Sequence, residues 1–192
     1  AFTAENNKPY ERLFAGLIPG DEVIIELQVD GDLADYGDLR IGSVSHALIP
    51  PGQLTKAYRD SYDYPYLGSS QDCEIDINCI EGKDWKIIKR SVCHIITPTN
   101  LCTGVLINNT AYDGKQYLLT AEHCINSEFY AENSVFVFGY ENSACGSIDG
   151  TTGNSVSGAT LIATGDSLDF SILLLDEKIP KEYSVYYAGW DI

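Results

Sequence analysis

The chain has 192 residues, of which 44% are hydrophobic, so it can form one large domain or two small ones. Its formal net charge of −16 argues against nucleic acid as a partner, because phosphate binding needs clustered Lys and Arg. No window approaches the roughly 18 apolar residues that a membrane span requires, so no membrane partner is expected. The polar start is not typical of a signal peptide, and the lack of any Met favours a processed or trimmed piece.

The first 72 residues contain no cysteine and differ in character from the rest. Apolar runs separated by turn residues predict strands within 12–29 and at 39–49. Carboxylates cluster between Asp30 and Asp38, but their spacing is not that of an EF-hand, so a polar turn is favoured over a calcium site. Pro, Gly, Tyr and small polar residues in 50–72 indicate an extended connector, which is expected to be cleavable near Leu67–Asp72.

Short apolar segments recur after Trp85, with Gly, Asn and Asp turns between them. They predict strands at 86–97, 102–109, 116–121, 134–140, 156–164 and 169–176. Regularly spaced short strands are typical of an antiparallel barrel or sandwich. Little of the chain has a helical pattern, and Ala121–Asn126 is predicted to form one short turn. The fold class expected is therefore all-β, with a small β-rich domain at 1–68 and a second domain at 69–192.

The cysteines indicate an oxidising compartment. All six lie between positions 73 and 145 and none forms a Cys-x-x-Cys pair, which makes zinc and thioredoxin-type sites poor interpretations. Scattered cysteines of this kind are typical of disulfides in secreted proteins. We expect a secreted protein with no cofactor and no metal site.

One of the three histidines has surroundings that suggest chemistry. His46 and His94 are interpreted as structural, because each lies within a predicted strand. His123 follows an apolar run and precedes Cys124, so a disulfide there would hold it rigidly. Asp169 opens a later apolar run, where a buried carboxylate would need a charged or hydrogen-bonding partner. A base and a carboxylate that orients it are what acyl transfer needs, so we predict a catalytic pair.

No serine qualifies as the nucleophile. Ser167 lies in Gly-Asp-Ser-Leu, the start of the GDSL hydrolase signature, but no histidine follows position 123 to serve as its base. Leu168 and Asp169 also replace the two glycines that shape the oxyanion loop of trypsin-like enzymes. Ser155 and Ser157 likewise lack such a loop.

In this order, the segments resemble the first half of a trypsin-like serine protease, and more closely the bacterial lysyl endopeptidases. The resemblance covers about residues 73–192, and residues 1–68 resemble the end of the propeptide region that precedes these enzymes. The segments that carry it are Cys73–Cys79 (Cys-Glu-Ile-Asp-Ile-Asn-Cys), Ile87–Val92, Cys102-Thr103-Gly104, Leu106–Thr110, Tyr117–Cys124, Asp169-Phe170 and Ala188–Asp191.

The resemblance implies a trypsin-like antiparallel β-barrel, the first of two, in a secreted serine endopeptidase that acts on proteins or peptides. In that setting His123 is the general base and acid, and Asp169 orients it. The serine, the oxyanion hole and the determinants of lysine selectivity would lie in a C-terminal barrel that this sequence does not contain. The piece alone is therefore expected to be inactive. The alternatives are a non-catalytic protease homologue used for binding and an all-β adhesion module.

The resemblance also implies a disulfide pattern. Cys102–Cys124 and Cys79–Cys145 would be disulfides within this chain. Cys73 would pair with a cysteine of the second barrel, whereas Cys93 departs from the family pattern and has no assigned partner.

Overall fold

The computed structural model describes residues 73–146 and 153–190, together with positions 3, 8, 11–13, 15–18, 20, 22–32, 39–42 and 44. The strands are β1 (Val92–Ile96), β2 (Leu101–Ile107), β3 (Tyr117–Thr120), β4 (Val135–Phe138), β5 (Ser155–Ser157), β6 (Ala159–Gly165) and β7 (Phe170–Leu175). The helical elements of these described residues are short: α1 (Glu128–Glu132) and the 3₁₀ helices Ile80–Trp85, Ile88–Ser91, Asp166–Leu168 and Lys181–Tyr183. Among them, none has the length and apolar character needed to cross a membrane.

The seven strands form one antiparallel sheet that curls into a barrel-like shape. Their order is β5-β4-β1-β2-β3-β7-β6, so β5 and β6 lie at opposite edges. Only Gly158 separates these two strands in the chain, so the edges of the sheet must approach each other there. Gly158 has a φ of 76°, which favours glycine, and its amide donates to Ser134 O at 2.9 Å. The predicted all-β, trypsin-like barrel is confirmed.

The core lies inside the curl, because alternate residues of each strand point inward. Along β7, Ser171, Leu173 and Leu175 are buried while the residues between them are partly exposed. The largest fully buried side chains include Phe136, Phe138, Ile95, Leu106, Leu118, Ile125 and Leu173. Burying each such side chain contributes about 1.5–3 kcal/mol, so this layer accounts for much of the barrel's stability.

Two strand predictions need correction. The strand expected at 86–97 begins only at Val92, because Ile88–Ser91 forms a 3₁₀ helix. Ser91 Oγ donates to Ile88 O at 2.6 Å, and Ile87 and Ile88 lie largely on the surface, where no strand pairs with them. The strand expected at 156–164 is interrupted at Gly158, where the chain passes from one sheet edge to the other.

The strand prediction for the amino-terminal region is wrong in the residues that the structure describes. Residues 22–32 form no strand, although their sequence is rich in β-branched residues. Ile24 is 87% exposed, and none of the seven strands of the described sheet pairs with this segment. A strand without a hydrogen-bonded neighbour is not stable on sequence pattern alone. The connector at 50–72 lies outside the described residues, and the separate domain at 1–68 stays a prediction.

Candidate active site

Strand pairing brings the two predicted catalytic residues to the same end of the barrel. β3 and β7 are antiparallel neighbours, and Thr120 is opposite Ser171 in their register. The chain that leaves β3 and the chain that enters β7 therefore meet at one rim. His123 lies three residues beyond β3, and Asp169 lies immediately before β7.

The histidine lies on the short turn that the sequence predicted. The amides of Cys124 and Ile125 both donate to Ala121 O, at 3.2 and 3.3 Å. Cys124 is bonded to Cys102 of β2, as the resemblance implied, so the turn is tied covalently to the neighbouring strand. The backbone next to His123 is thus held by both hydrogen bonds and a disulfide.

The aspartate has an unusual backbone conformation. It caps the 3₁₀ helix Asp166–Leu168 with φ 48° and ψ 54°, in the left-handed region. Asp is one of the few residues other than Gly that adopt this region readily, because its short side chain bonds locally. Its amide donates to Asp166 O at 3.1 Å, which closes the turn just before β7.

His123 and Asp169 are in direct contact. Nδ1 of the imidazole lies 2.7 Å from Asp169 Oδ2 and 2.9 Å from Oδ1. The backbone amide of His123 also donates to Oδ1, at 3.1 Å. The aspartate side chain is 51% exposed and the histidine side chain 69%. The 3₁₀ turn places Asp169 at the rim rather than in the core, so its carboxylate is partly exposed.

The hydrogen bonds decide which imidazole nitrogen carries the proton. The His123 amide holds the pKa of the Asp169 carboxyl below its usual range, with further help from the imidazole and the Glu122 amide. An ionised carboxylate can only accept, so Nδ1 of His123 is the donor. Nε2 of the neutral ring then has a free lone pair, and it has no hydrogen-bond partner among the described residues. This nitrogen can take a proton from a hydroxyl that lies within hydrogen-bond reach of it.

Further hydrogen bonds, which the sequence did not predict, hold the ends of β3 and β7 next to His123 and Asp169. The buried Ser171 Oγ donates to Ile125 O at 2.6 Å and lies 2.9 Å from Thr164 Oγ1. Thr120 Oγ1 donates to Thr103 O at 2.9 Å. These bonds connect the start of β7 to β6 and to the turn after His123, and the end of β3 to β2. The only sequence signal for them was the presence of small hydroxyl residues at strand ends.

A second cluster holds the segment after Cys73. Cys79 is bonded to Cys145, which confirms the other predicted disulfide. Asp76 Oδ2 accepts a hydrogen bond of 2.7 Å from Asn142 Nδ2, which lowers the Asp76 pKa. Lys89 Nζ lies 2.7 Å from Glu141 Oε2 within the same cluster, so residues 76–79 are fastened to the 141–145 loop.

The two remaining cysteines are free thiols in very different environments. Cys73 is exposed, whereas Cys93 is buried in the core. Burial raises the pKa of the Cys93 thiol to about 12. The expected pairing of Cys73 with a second barrel concerns residues beyond this chain and stays a prediction.

None of the other histidine and serine candidates that the structure describes is hydrogen-bonded to this pair. His94 is on β1, where its ring stacks on Tyr140 with 5.2 Å between centroids, while His46 lies outside the described residues. Ser155 and Ser157 belong to β5, and Ser167 to the 3₁₀ helix before Asp169. In the described parts of the chain, no hydrogen bond joins any of these serines to His123.

An open groove of about 540 Å³ lies elsewhere on the barrel. It is lined by the end of β7, by residues 114–116 and by parts of 178–187, and it includes neither His123 nor Asp169. The imidazole therefore lies on an open rim rather than in this groove.

Comparison with known proteins identifies the group to which the barrel belongs. The family model "Lysyl endopeptidase, C-terminal domain" matches residues 67–192. The chain belongs to the lysyl endopeptidase family. A lysyl endopeptidase of Pseudomonas aeruginosa is 25% identical over 197 aligned positions, which cover 96% of this chain. The chain spans 40% of the length of that relative, less than half. The matched range contains the barrel and both His123 and Asp169. The resemblance seen in the sequence is confirmed.

Proposed function

We propose that this chain supplies the histidine and aspartate of a secreted serine endopeptidase that cleaves peptide bonds after lysine. The observation that carries the proposal is the His123–Asp169 contact, with Nδ1 2.7 Å from the carboxylate and Nε2 free. His123 would accept the proton of a serine hydroxyl and later return it to the leaving amine. Asp169 would hold the imidazole in the required tautomer and stabilise its charged form.

The serine and the oxyanion donors would come from a second barrel encoded beyond Ile192. The chain spans 40% of a relative with the same family assignment, which leaves room for such a barrel. Exposure of 69% for the His123 side chain fits a rim that the second barrel would cover. The 192-residue piece alone would therefore hold His123 and Asp169 together without cleaving peptides, because no serine of the described residues is hydrogen-bonded to His123 for activation.

Secretion and a proenzyme form belong to the same proposal. Two disulfides close within the barrel, and such bonds persist in oxidising compartments. Residues 1–68 would be the end of a propeptide, and a cut near 67–72 would release the enzyme.

The test uses the longer protein encoded by the gene that contains this sequence. We expect a Gly-x-Ser-Gly-Gly/Ser-like segment after codon 192 and cleavage of a peptide substrate after Lys. Asp169→Asn should lower kcat about 10⁴-fold, because the imidazole loses the partner that holds its tautomer. Asp166→Asn is the matched control, since this carboxylate lies on the same turn without contacting His123.

Three results would overturn the assignment. A gene that encodes no serine segment of this type would favour the non-catalytic homologue. Equal activity of Asp169→Asn and Asp166→Asn would show that the His123–Asp169 contact has no catalytic role. Turnover by the purified 192-residue piece, lost in His123→Ala, would instead return Ser155, Ser157 or Ser167 as the nucleophile.

A further inference from the structure

Part of the amino-terminal region contacts the barrel through two ion pairs. Lys8 Nζ lies 3.4 Å from Asp176 Oδ2, just beyond β7. Arg12 Nη1 lies 3.9 Å from Glu132 Oε2, at the end of α1. We call the described residues of this stretch (8, 11–13, 15 and 16) the strap. In a chain with a net charge of −16, it brings two of the 12 Lys and Arg residues to an acidic surface of the barrel.

The strap also passes close to the edge strand β5. A Cβ atom at Gly16 would lie 3.4 Å from Ser157 Oγ and 3.6 Å from Ser155 Oγ. An alanine methyl would thus already touch both hydroxyls, and a branched side chain would have to displace the strap. Val156 of β5 belongs to the core, so Ser155 and Ser157 lie on the outer face of this strand and Gly16 packs against that face. Because β5 is paired only with β4 in the described sheet, this packing adds a second contact to an edge strand.

The ion pair to Asp176 is the anchor of this contact. The side chains of Lys8 and Asp176 are only 13% and 11% exposed, whereas Arg12 is 59% exposed. Lysine is almost never buried without a partner, and removing one member of a buried pair leaves an uncompensated charge. Asp176 Oδ1 also accepts from Thr160 Oγ1 at 3.1 Å, so the carboxylate is held in place for the lysine.

The strap lies far from the His123–Asp169 pair. Asp169 precedes β7 and Asp176 follows it, so the six residues of the strand separate them. At about 3.3 Å per residue, that distance is roughly 20 Å. A segment anchored at Asp176 therefore leaves the imidazole uncovered.

We propose that Glu132, Asp176 and the outer face of β5 form a binding site for an extended peptide with two cations four residues apart, and that the strap occupies it. Because these contacts do not involve the connector at 50–72, the strap stays bound to the barrel after the connector is cut. It acts as a stabiliser of the barrel edge and does not block the His123–Asp169 pair. The proposal does not depend on the catalytic assignment of that pair.

The first test measures hydrogen exchange of the β5 amides in the full chain. We expect Lys8→Ala to accelerate their exchange about tenfold, while Lys83→Ala, at an exposed lysine, leaves it unchanged. Gly16→Val should have the same effect as Lys8→Ala. Gly42→Val is its control, because a Cβ at that position meets no atom within 4 Å. Equal exchange rates of the β5 amides in Lys8→Ala and Lys83→Ala would show that the Lys8–Asp176 ion pair does not hold the strap on the barrel.

The second test asks whether the strap remains bound after cleavage. A recognition sequence for a site-specific protease is introduced within 60–66, the chain is cut, and the fragments are analysed by size exclusion at micromolar concentration. We expect the two fragments to elute together at low salt, and Lys8→Ala to raise their dissociation constant about tenfold or more. Separation of the wild-type fragments, with the barrel still folded by circular dichroism, would refute the proposal.

Discussion

The disulfide next to His123 allows a quantitative prediction. Cys102 and Cys124 are 22 residues apart, and closing a loop of that length stabilises the folded state by about 3.4 kcal/mol in the chain-entropy model. The other bond, Cys79–Cys145, spans 66 residues and is worth about 4.4 kcal/mol in the same model. Replacing each pair by two alanines should therefore lower the free energy of unfolding by these amounts. Loop closure alone would make the two variants differ by about 1 kcal/mol.

Urea denaturation monitored by fluorescence would measure both variants against the wild type. Cys124 is buried and Cys145 is exposed, so replacing Cys124 also removes core packing. This adds to the loss in free energy of unfolding of the Cys102–Cys124 variant and brings it closer to that of the Cys79–Cys145 variant. Removing Cys102–Cys124 should also broaden the His123 ring resonances, since the turn that bears the ring loses its covalent tie to β2. If both variants lost less than about 1 kcal/mol in free energy of unfolding, the entropy of loop closure in the unfolded chain would not account for the stabilisation by these disulfides.

Two further predictions follow from packing. Iodoacetamide at pH 8 should modify the exposed Cys73 in the native protein and spare Cys93. The Cys93 thiol is buried and its pKa is raised to about 12, so little reactive thiolate forms. Equal labelling of both cysteines would contradict the burial of Cys93. Gly82→Ala should lower the free energy of unfolding by about 2 kcal/mol, because its Cβ would overlap the backbone carbonyl of Ile77. Gly189→Ala is the control, since its Cβ meets nothing, and equal stability of the two variants would refute the predicted overlap.

Local sequence patterns were enough to predict most of the barrel strands and the turn that bears His123. They failed where a segment lacked a partner. Ile87 and Ile88 have strand-forming side chains, yet the chain there forms a 3₁₀ helix, and residues 22–32 form no strand despite a similar composition. The reason is that strand propensity measures fit to a half-buried sheet, and only the tertiary structure decides whether a neighbouring strand is available.

The same distinction applies to the candidate site. The sequence by itself determined which residues flank buried strands: His123 beside a cysteine after one apolar run, and Asp169 before another. It did not determine that β3 pairs with β7, although β4, β5 and β6 come between them in the chain. It also did not reveal the left-handed turn at Asp169 or the amide of His123 that binds its carboxylate. Backbone hydrogen bonds are available to every residue type, so only the closed sheet decides which of them form.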